Sequence, residues 1–408
     1  MKHKIIMALF LGFAIAANAQ FKNDNVLYKT VDPGDLCAAL AKNPGYLLLD
    51  VRSAGENCDT SRSVSLNIGR LKGAKNIDVG ELGKRIPEIT DYKDKPVFVY
   101  CSHSQRSRRA SKMLADSGFT KVFNINGGMT ALYYDQAGDK TCLPSMVLTN
   151  NKYKVISPAE ICSRMNAKGN QVFLLDVRSD SAFRHISNDA KINSIGTLEG
   201  AINIPYAELE GKLSSVPKNK EIIILDVYGT DPARAAAFLA GKGYNNLSVL
   251  IEGMDLWASS DVNELPCKNS IYKSPVSYPV LAASEFGRLV QKDNDYILLD
   301  VRTADEFGNK HKDYWRNIGR LKNAVNIPNS ELNDRANELE QYKHKTIITY
   351  GFSGGPEAYA AAITLYNKGF TKVKVLGDGL FNIRWTAYNR KDQAYLKDLV
   401  TDLPEINW

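Results

Sequence analysis

The chain has 408 residues, of which 44% are hydrophobic and 24% charged, and this composition is typical of a globular rather than a disordered protein. At about 150 residues per domain, the length predicts two to four domains. The net charge is +7, or about +5 without Lys2 and Lys4, and the basic residues form no long run. This distribution argues against a nucleic-acid partner.

Residues 1–19 have the pattern of a secretory signal peptide. Lys2 and Lys4 precede an apolar stretch, and Ala17 and Ala19 supply the small residues that signal peptidase accepts. The stretch is shorter than the ~20 residues of a spanning helix, and no later segment is long and apolar enough to cross a bilayer. We therefore predict cleavage before Gln20, export to the periplasm or the medium, and no stable membrane insertion. A short uncleaved anchor is the alternative.

The chain contains three copies of one unit. The sequence LLLDVRS at 47–53 returns as FLLDVRS at 173–179 and as ILLDVRT at 297–303, and a second motif follows each of them, beginning at Gly69, Gly196 and Gly319. The copies are more than 120 residues apart, so each is the size of a domain rather than of a solenoid repeat. We predict three homologous domains, at 20–145, 146–270 and 271–408.

Each copy alternates the patterns of helices and strands. In the first copy a helical pattern around Leu36 and Leu40 precedes the apolar run that ends in Asp-Val-Arg. A second apolar run at 97–100 is followed by an Ala-containing helical stretch at 107–117 and a third strand at 122–125. Short apolar runs that alternate with helices indicate an α/β fold, a parallel β-sheet flanked by helices. Linkers are expected near 143–154 and 266–278.

Four motifs together resemble the rhodanese family. They are Asp50-x-Arg52 at a strand end, the Gly69-to-Ile77 segment with its Gly-Ala-x-Asn-Ile ending, Cys101 at the start of a six-residue loop, and the closing Gly127-Gly128-Met129. The resemblance covers nearly all of the chain after residue 19. It implies three tandem rhodanese-like domains and sulfurtransferase activity through a persulfide on a cysteine.

The chemistry is predicted at the loop from Cys101 to Ser107. A cysteine that follows a buried strand and precedes a helix lies where backbone N–H groups converge on an anion. The helix dipole and Arg106 add positive potential, which favours the thiolate as nucleophile. Cys101 and Arg106 are the predicted catalytic residues. The predicted substrate-binding loop consists of Ser102, His103, Ser104, Gln105 and Ser107.

The resemblance implies a small anionic sulfur donor such as thiosulfate, with Arg106 pairing with its charge, and a thiol or cyanide as acceptor. Related phosphatases have five residues between cysteine and arginine, whereas Cys101 and Arg106 are separated by four, which favours sulfur transfer. Ser104 stands where many family members have glycine, so the turn is expected to be more hindered. His103 either attracts donors, serves as a base, or is an exposed polar residue.

Asp50 and Arg52 are expected to support the loop structurally. The second and third copies lack the nucleophile, because Asp226 and Gly351 take the place of Cys101, and Asp231 replaces Arg106. We therefore expect both copies to be structural or binding domains, through which a protein partner could be held.

The six cysteines suggest disulfides. Cys37 and Cys142 are 105 residues apart, as are Cys162 and Cys267 at the matching places of the second copy, whereas the third copy lacks both. Two positions that are filled or emptied together predict the pairs Cys37–Cys142 and Cys162–Cys267. Cys58 is left as either a resolving thiol for Cys101 or an idle surface thiol.

Three further functions stay open beside sulfur transfer. The first is a non-enzymatic binding or scaffold protein, the second a thiol redox enzyme that uses Cys101 with Cys58, and the third a phosphatase. The five histidines are scattered and the chain has no Cys-x-x-Cys or glycine-rich nucleotide loop, so we predict no metal and no cofactor.

Overall fold

The structure is a computed structural model that describes residues 27–134, 138–168 and 171–403. The predicted signal peptide lies outside these residues. The described chain forms three α/β units, each built on a five-stranded parallel sheet. The predicted fold class is thereby confirmed.

In domain 1 the sheet has the order β1-β6-β5-β2-β4, which places β5 in the middle. The strands of domain 1 are Lys29–Val31 (β1), Leu47–Asp50 (β2), Arg70–Leu71 (β3), Lys75–Asn76 (β4), Val97–Tyr100 (β5), Val122–Ile125 (β6) and Val147–Leu148 (β7). Its α-helices are Leu36–Lys42 (α1), Ala54–Asn57 (α2), Leu82–Arg85 (α3), Gln105–Asp116 (α4), Gly128–Tyr134 (α5) and Leu143–Met146 (α6). Its 3₁₀ helices are Pro33–Asp35, Val64–Leu66 and Ile86–Tyr92.

Domain 2 repeats this order as β8-β13-β12-β9-β11. Its strands are Lys154–Ile156 (β8), Val172–Asp176 (β9), Thr197–Leu198 (β10), Ile202–Asn203 (β11), Glu221–Leu225 (β12), Leu247–Leu250 (β13) and Tyr272–Lys273 (β14). Its α-helices are Pro158–Lys168 (α7), Asp180–Phe183 (α8), Ala190–Ser194 (α9), Thr230–Gly241 (α10), Gly253–Ser259 (α11) and Lys268–Ile271 (α12), and two 3₁₀ helices cover Tyr206–Glu208 and Leu213–Ser215.

Domain 3 has the order β15-β20-β19-β16-β18. Its strands are Val280–Leu281 (β15), Tyr296–Asp300 (β16), Arg320–Leu321 (β17), Val325–Asn326 (β18), Thr346–Tyr350 (β19), Val373–Leu376 (β20) and Val400–Thr401 (β21). Its α-helices are Ala283–Lys292 (α13), Ala304–Phe307 (α14), Leu332–Arg335 (α15), Glu357–Asn367 (α16) and Gly379–Asn389 (α17). Three 3₁₀ helices cover Tyr314–Arg316, Ala336–Tyr342 and Lys391–Leu399.

Each domain also has a two-stranded antiparallel pair that is formed by its last strand. Strand β7 pairs with β3, β14 with β10, and β21 with β17. Because β7 and β14 lie beyond residues 145 and 270 and yet pair with the domain before them, domains 1 and 2 extend a few residues further than predicted. The expected linkers are therefore partly ordered as short helices and strands.

Each sheet is buried between two hydrophobic layers. In domain 1 all four residues of β2 and all four of β5 are buried, and alternate side chains point to opposite faces. Val97 and Val99 face one core cluster, while Phe98 and Tyr100 face the other. This is the two-sided burial that a continuous apolar run predicts.

The domains contact one another through matching segments. Val64 of domain 1 packs against the core of domain 2, and Ala190 at the matching place in domain 2 packs against the core of domain 3. Asp261 of domain 2 forms a bidentate ion pair with Arg288 of domain 3, with both N–O distances 2.7 Å. No helix that the structure describes combines the length and the hydropathy of a bilayer-crossing segment.

Candidate functional site

Cys101 directly follows the central strand of domain 1. β5 ends at Tyr100, and α4 begins at Gln105, so the loop lies at the carboxyl edge of the sheet, where the helix N-terminus faces the sulfur. Only 1% of Cys101 is exposed. The thiol is therefore almost completely covered by the protein in this structure.

The loop backbone points at the sulfur. The Ser104 N–H donates to Cys101 Sγ at 3.1 Å, and Ser107 Oγ lies 3.6 Å from Sγ. Ser104 has φ +88°, the left-handed conformation that its β-carbon disfavours. The hindrance expected for serine at this position is thus present, and hydrogen bonds offset it: Ser104 Oγ accepts from the Gly127 N–H and lies 3.5 Å from Asn126 Oδ1.

Gly128 allows the closing motif to approach the loop. With φ +59°, it lies so close to the loop that a β-carbon there would be 2.3 Å from the Cys101 carbonyl oxygen. The next two residues hold the loop, because Met129 N–H donates to Cys101 O at 2.8 Å and Thr130 N–H to Ser102 O at 3.0 Å. The Gly-Gly-Met motif is therefore a support for the Cys101 loop.

Arg106 is bound by a carboxylate of its own domain. Its two terminal nitrogens donate to the two oxygens of Glu56, each at 2.6 Å, and Nη2 also donates to Ser102 Oγ at 2.8 Å. Burial would raise the pKa of Glu56, but hydrogen bonds and charge from Arg106, together with bonds from Ser53, hold it below its usual range. In this structure Glu56 balances the charge of Arg106, and the pairing of Arg106 with a donor stays a prediction.

Sequence reasoning missed Glu56, although a local signal was present. Ser53 and Glu56 form a capping box at the start of α2, with the Ser53 N–H and Oγ both donating to Glu56. Ser-x-x-Glu could have identified the helix start. Nothing in the spacing could have shown that the same carboxylate reaches Arg106, which lies 50 residues later in the sequence.

His103 lies at the tip of the loop and faces domain 2. Its Nδ1 lies 2.9 Å from Ser102 Oγ, and its Nε2 lies 3.0 Å from Glu252 Oε1 of domain 2 and 3.2 Å from Thr130 Oγ1. Glu252 itself has φ +55°. The ring is about half exposed, but it is fixed on three sides by these contacts. The side chain of Gln105 is exposed beside it.

Asp50 and Arg52 form a fully buried ion pair at the end of β2. Arg52 Nη2 donates to Asp50 Oδ2 and to the carbonyl of Gly69, both at 2.7 Å, and Asn57 Nδ2 donates to Asp50 at 2.9 Å. The pair joins the end of β2 to the segment before β3. These contacts hold the end of β2 to the Gly69 segment, and the support of the Cys101 loop by both residues stays a prediction.

The loop of domain 2 places a carboxylate where domain 1 has the sulfur. Asp226 accepts from the N–H of Gly229, which matches Ser104, and from the N–H of Asp231 at 3.2 Å. Burial raises the pKa of Asp226 to about 6, although these two N–H groups act in the opposite direction. Two backbone N–H groups of this loop therefore point at the side chain that replaces the cysteine, as the Ser104 N–H points at Cys101.

The loop of domain 3 has neither a thiol nor a carboxylate at this position. Gly351 replaces Cys101. When the helix C-caps Ser117 and Lys368 are matched, Gly351 lies one residue farther from its C-cap than Cys101 does, so the loop of domain 3 is one residue longer. By this count Glu357 stands at the position of Arg106. Both copies without the cysteine thus carry an acid there, Asp231 and Glu357.

The cysteines pair as predicted. Cys37–Cys142 and Cys162–Cys267 are both disulfide bonds, with Cα–Cα distances of 5.7 and 5.8 Å. Cys58 and Cys101 are free, the former exposed and the latter buried. Within the described ranges, no three His, Cys, Asp or Glu side chains are grouped as they would be around a metal ion.

Comparison with known proteins gives three matches to one family. Residues 33–134, 157–260 and 282–384 each match the Rhodanese-like domain family. The uncharacterized protein YqhL of Bacillus subtilis is 32% identical over 128 residues, which are 31% of this chain and 90% of YqhL. A tRNA uridine(34) hydroxylase of Cytophaga hutchinsonii is 28% identical over 114 residues, 27% of this chain, so the chain spans about a third (33%) of that enzyme's length.

Two of the matching solved structures have sulfurtransferase or sulfotransferase names, and both have low TM-scores. A thiosulfate sulfurtransferase from Pseudomonas aeruginosa has 17% identity and a TM-score of 0.23, covering 86% of this chain and 66% of its own. A 3-mercaptopyruvate sulfotransferase from Escherichia coli has 20% identity and a TM-score of 0.22, covering 55% of this chain and 97% of its own. The three family matches together span well over half of the sequence, so the chain belongs to the rhodanese-like domain family and carries the domain three times in tandem.

Proposed function

We propose that the chain is an exported rhodanese-type sulfurtransferase that carries sulfur as a persulfide on Cys101. The observation that carries this proposal is the Ser104 N–H, which points at the Cys101 sulfur from 3.1 Å within a loop that leads into a helix N-terminus. The same loop in domain 2 holds the Asp226 carboxylate. Backbone N–H groups that point at this position can stabilise a thiolate or a persulfide.

The reaction has two displacement steps. The Cys101 thiolate attacks the outer sulfur of a thiosulfate-like donor, a new S–S bond forms, and sulfite leaves with the electron pair of the old one. A cyanide or thiol acceptor then attacks the outer sulfur of the persulfide, and the thiolate of Cys101 is released. No oxidant or reductant is consumed.

The donor is proposed to be a small anion that is held by backbone N–H groups rather than by a free Arg106. Arg106 and Glu56 together carry no net charge, so the loop amides and the α4 dipole supply the local attraction. Ser102, His103, Ser104, Gln105 and Ser107 are proposed to form the substrate-binding loop, and Asp50 with Arg52 is proposed to support it.

Export is proposed from the sequence of residues 1–19. The two disulfides support it, because such bonds persist in oxidising compartments such as the periplasm or the extracellular medium. Domains 2 and 3 are proposed to complete the surroundings of the domain 1 loop and, secondarily, to hold a protein partner. The hydroxylase activity of the tRNA-modifying relatives is not proposed for this chain, which covers only a third of their length.

The test is the mass of the protein after incubation with thiosulfate. We expect a gain of about 32 Da, the mass of one sulfur atom, which cyanide reverses with release of thiocyanate and which is absent in Cys101→Ser. Cys58→Ser should keep the adduct and the turnover. No adduct on folded protein with Cys101 reduced would overturn the proposal, and loss of turnover in Cys58→Ser would favour the redox enzyme instead.

A further inference from the structure

Domain 2 contacts the Cys101 loop through Glu252, which directly precedes α11. The Glu252 Oε1 lies 3.0 Å from His103 Nε2, and Thr130 Oγ1 lies 3.2 Å from the same nitrogen. His103 is the second residue after Cys101 and directly precedes Ser104, whose N–H donates to the sulfur. One side-chain contact therefore joins Glu252 to the segment that carries this N–H group.

The hydrogen bonds on the two sides of the His103 ring have one consistent direction. A carboxylate only accepts, so Nε2 carries the hydrogen that Glu252 accepts, and in the neutral ring Nδ1 is an acceptor. Arg106, which is held by Glu56, donates to Ser102 Oγ at 2.8 Å. The Ser102 hydroxyl hydrogen is then left for His103 Nδ1, at 2.9 Å. Both ring nitrogens are thus engaged, and the lone pair that a base would use is occupied.

The backbone of Glu252 has a conformation that a glutamate disfavours. Its φ is +55°, in the left-handed region, where a β-carbon is crowded by the following carbonyl. At the matching place in domain 1 stands Gly127, with φ +68°. The neighbouring Gly253 lies so close to the loop of domain 2 that a β-carbon there would be 2.5 Å from Val227 O. The strain at Glu252 therefore points to a role for its side chain rather than for the turn.

The interface between domains 2 and 3 has an acid at the matching place. Asp378 directly precedes α17, as Glu252 directly precedes α11, and its carboxylate accepts from Ser259 of domain 2. Burial raises the pKa of Asp378 to about 6, and the charge of Lys191 of domain 2 acts in the opposite direction. The side chain of Lys191 is only 3% exposed. At this interface the acid of the following domain is therefore accompanied by a buried lysine.

Domain 1 has no lysine at the corresponding place. Val64 and Ala190 match, so Ser65 stands where domain 2 has Lys191. The acid that domain 2 brings to the interface contacts His103 instead. The copy with the cysteine thus uses a residue of its own Cys101 loop for a contact that domain 2 makes outside its loop.

We propose that Glu252 of domain 2 is a positioning residue for the Cys101 loop, which it holds through His103, and that His103 links the two domains rather than serving as a base. This inference rests on the proposed function and gives domain 2 a defined part in it. Backbone N–H groups stabilise an anion best when their loop is held in place before the reaction. The side chains of His103 and Glu252 are 49% and 39% exposed, so the expected effect is that of a surface ion pair.

The experiment measures the first-order rate of persulfide formation on Cys101 at saturating thiosulfate, by mass spectrometry of quenched samples, in a Cys58→Ser background. We expect Glu252→Gly and His103→Ala each to lower this rate about threefold. The double variant should be no slower than His103→Ala, because both changes remove the same link. Glu252→Gln keeps an oxygen acceptor and should recover about half of the lost rate or more.

Glu199→Ala is the matched control, because Glu199 is an exposed glutamate whose ion pair with Lys273, at 2.9 Å, stays within domain 2. It should react at the parental rate. Equal rates for Glu252→Gly and the parent, or losses that multiply in the double variant, would overturn the inference. A general base contributes about 10²–10⁴-fold, so a loss of that size in His103→Ala would refute the linking role of the histidine.

Hydrogen exchange of the peptide at 101–107 gives a readout that needs no sulfur donor. It should be about threefold faster in Glu252→Gly and in His103→Ala than in the parent, while peptides of β12 and β13 keep their rates because glycine relieves the strain at Glu252. Unchanged exchange of the loop in Glu252→Gly would contradict the inference, as would unchanged exchange in His103→Ala if Glu252→Gly failed to fold. Faster loop exchange in both variants, with no sulfur uptake by the parent, would refute the proposed function alone.

Discussion

Replacing Glu56 by glutamine tests whether the ion pair with Arg106 limits access of an anionic donor. The side chain of Glu56 is 5% exposed and that of Arg106 31% exposed, and two N–O distances of 2.6 Å join them. Glutamine keeps one oxygen as acceptor and the shape of the side chain, but it removes the negative charge. The Glu56→Gln variant therefore leaves Arg106 with an uncompensated charge at the mouth of the loop.

Two opposite effects are expected in this variant. Breaking a fully buried pair costs about 3–5 kcal/mol, but water screens a pair whose arginine is nearly a third exposed, so we expect domain 1 to lose about 1–2 kcal/mol of stability. A charged hydrogen bond contributes about 1.5–3 kcal/mol before screening. If the bond from Arg106 to the anionic donor contributes about 1 kcal/mol after screening, the KM for thiosulfate should fall about fivefold.

The assays are thiocyanate production over a range of thiosulfate concentrations and hydrogen exchange of domain 1 peptides. Glu306→Gln is the matched control, because Glu306 forms the same capping box in domain 3 and pairs with Arg316, in a domain without the cysteine. It should destabilise domain 3 by a similar amount without a change in KM. A KM for Glu56→Gln that equals or exceeds the parental value would refute the argument that Arg106 is neutralised.

Two further predictions concern the cysteines and domain 2. Alkylation of the unfolded but unreduced protein should add two labels, and alkylation after reduction should add six. Four or more labels without reduction would contradict the pairing. Reduction of either bond should lower the free energy of unfolding by up to about 4 kcal/mol, because each bond closes a loop of 105 residues. With its pKa raised from 3.8 to about 6, Asp226 contributes stability fully below about pH 4 and loses it as the pH rises through 6. The stability of Asp226→Asn should therefore rise by up to about 3 kcal/mol relative to the parent between pH 4 and 7. Unfolding can be measured by the fluorescence of the buried Trp257. Parallel stability curves for the two proteins would show that Asp226 does not titrate in this range.

The sequence predicted the parts of the fold that local patterns determine. Repeated Asp-Val-Arg runs predicted the strands of three parallel sheets, and the matched cysteines predicted both disulfides, because homologous domains must place equivalent residues alike. The loop between β5 and α4 was also predicted, since an apolar run followed by small polar residues and a helical pattern has few alternatives.

The contacts between distant residues could not be predicted. Glu56 and Arg106, His103 and Glu252, and Arg108 and Asn389 each come from different parts of the chain, and their separations carry no periodic signal. For Arg106 the missed contact is an ion pair with Glu56, which balances the charge of the arginine within the protein. The arrangement of the three domains decided these contacts, and no pattern in a single copy encodes it.

The disulfide of domain 1 has a consequence for biosynthesis. Cys58 and Cys101 lie between Cys37 and Cys142 in the sequence, so a chain that is oxidised in order of synthesis meets Cys58 first as a partner for Cys37. The native bond requires that domain 1 folds before it is oxidised, or that an isomerase exchanges the early bond through a mixed disulfide. Domain 2 has two cysteines only, so no wrong pair can form within it. Maturation in a strain without a disulfide isomerase should therefore fail first in the domain that carries Cys101.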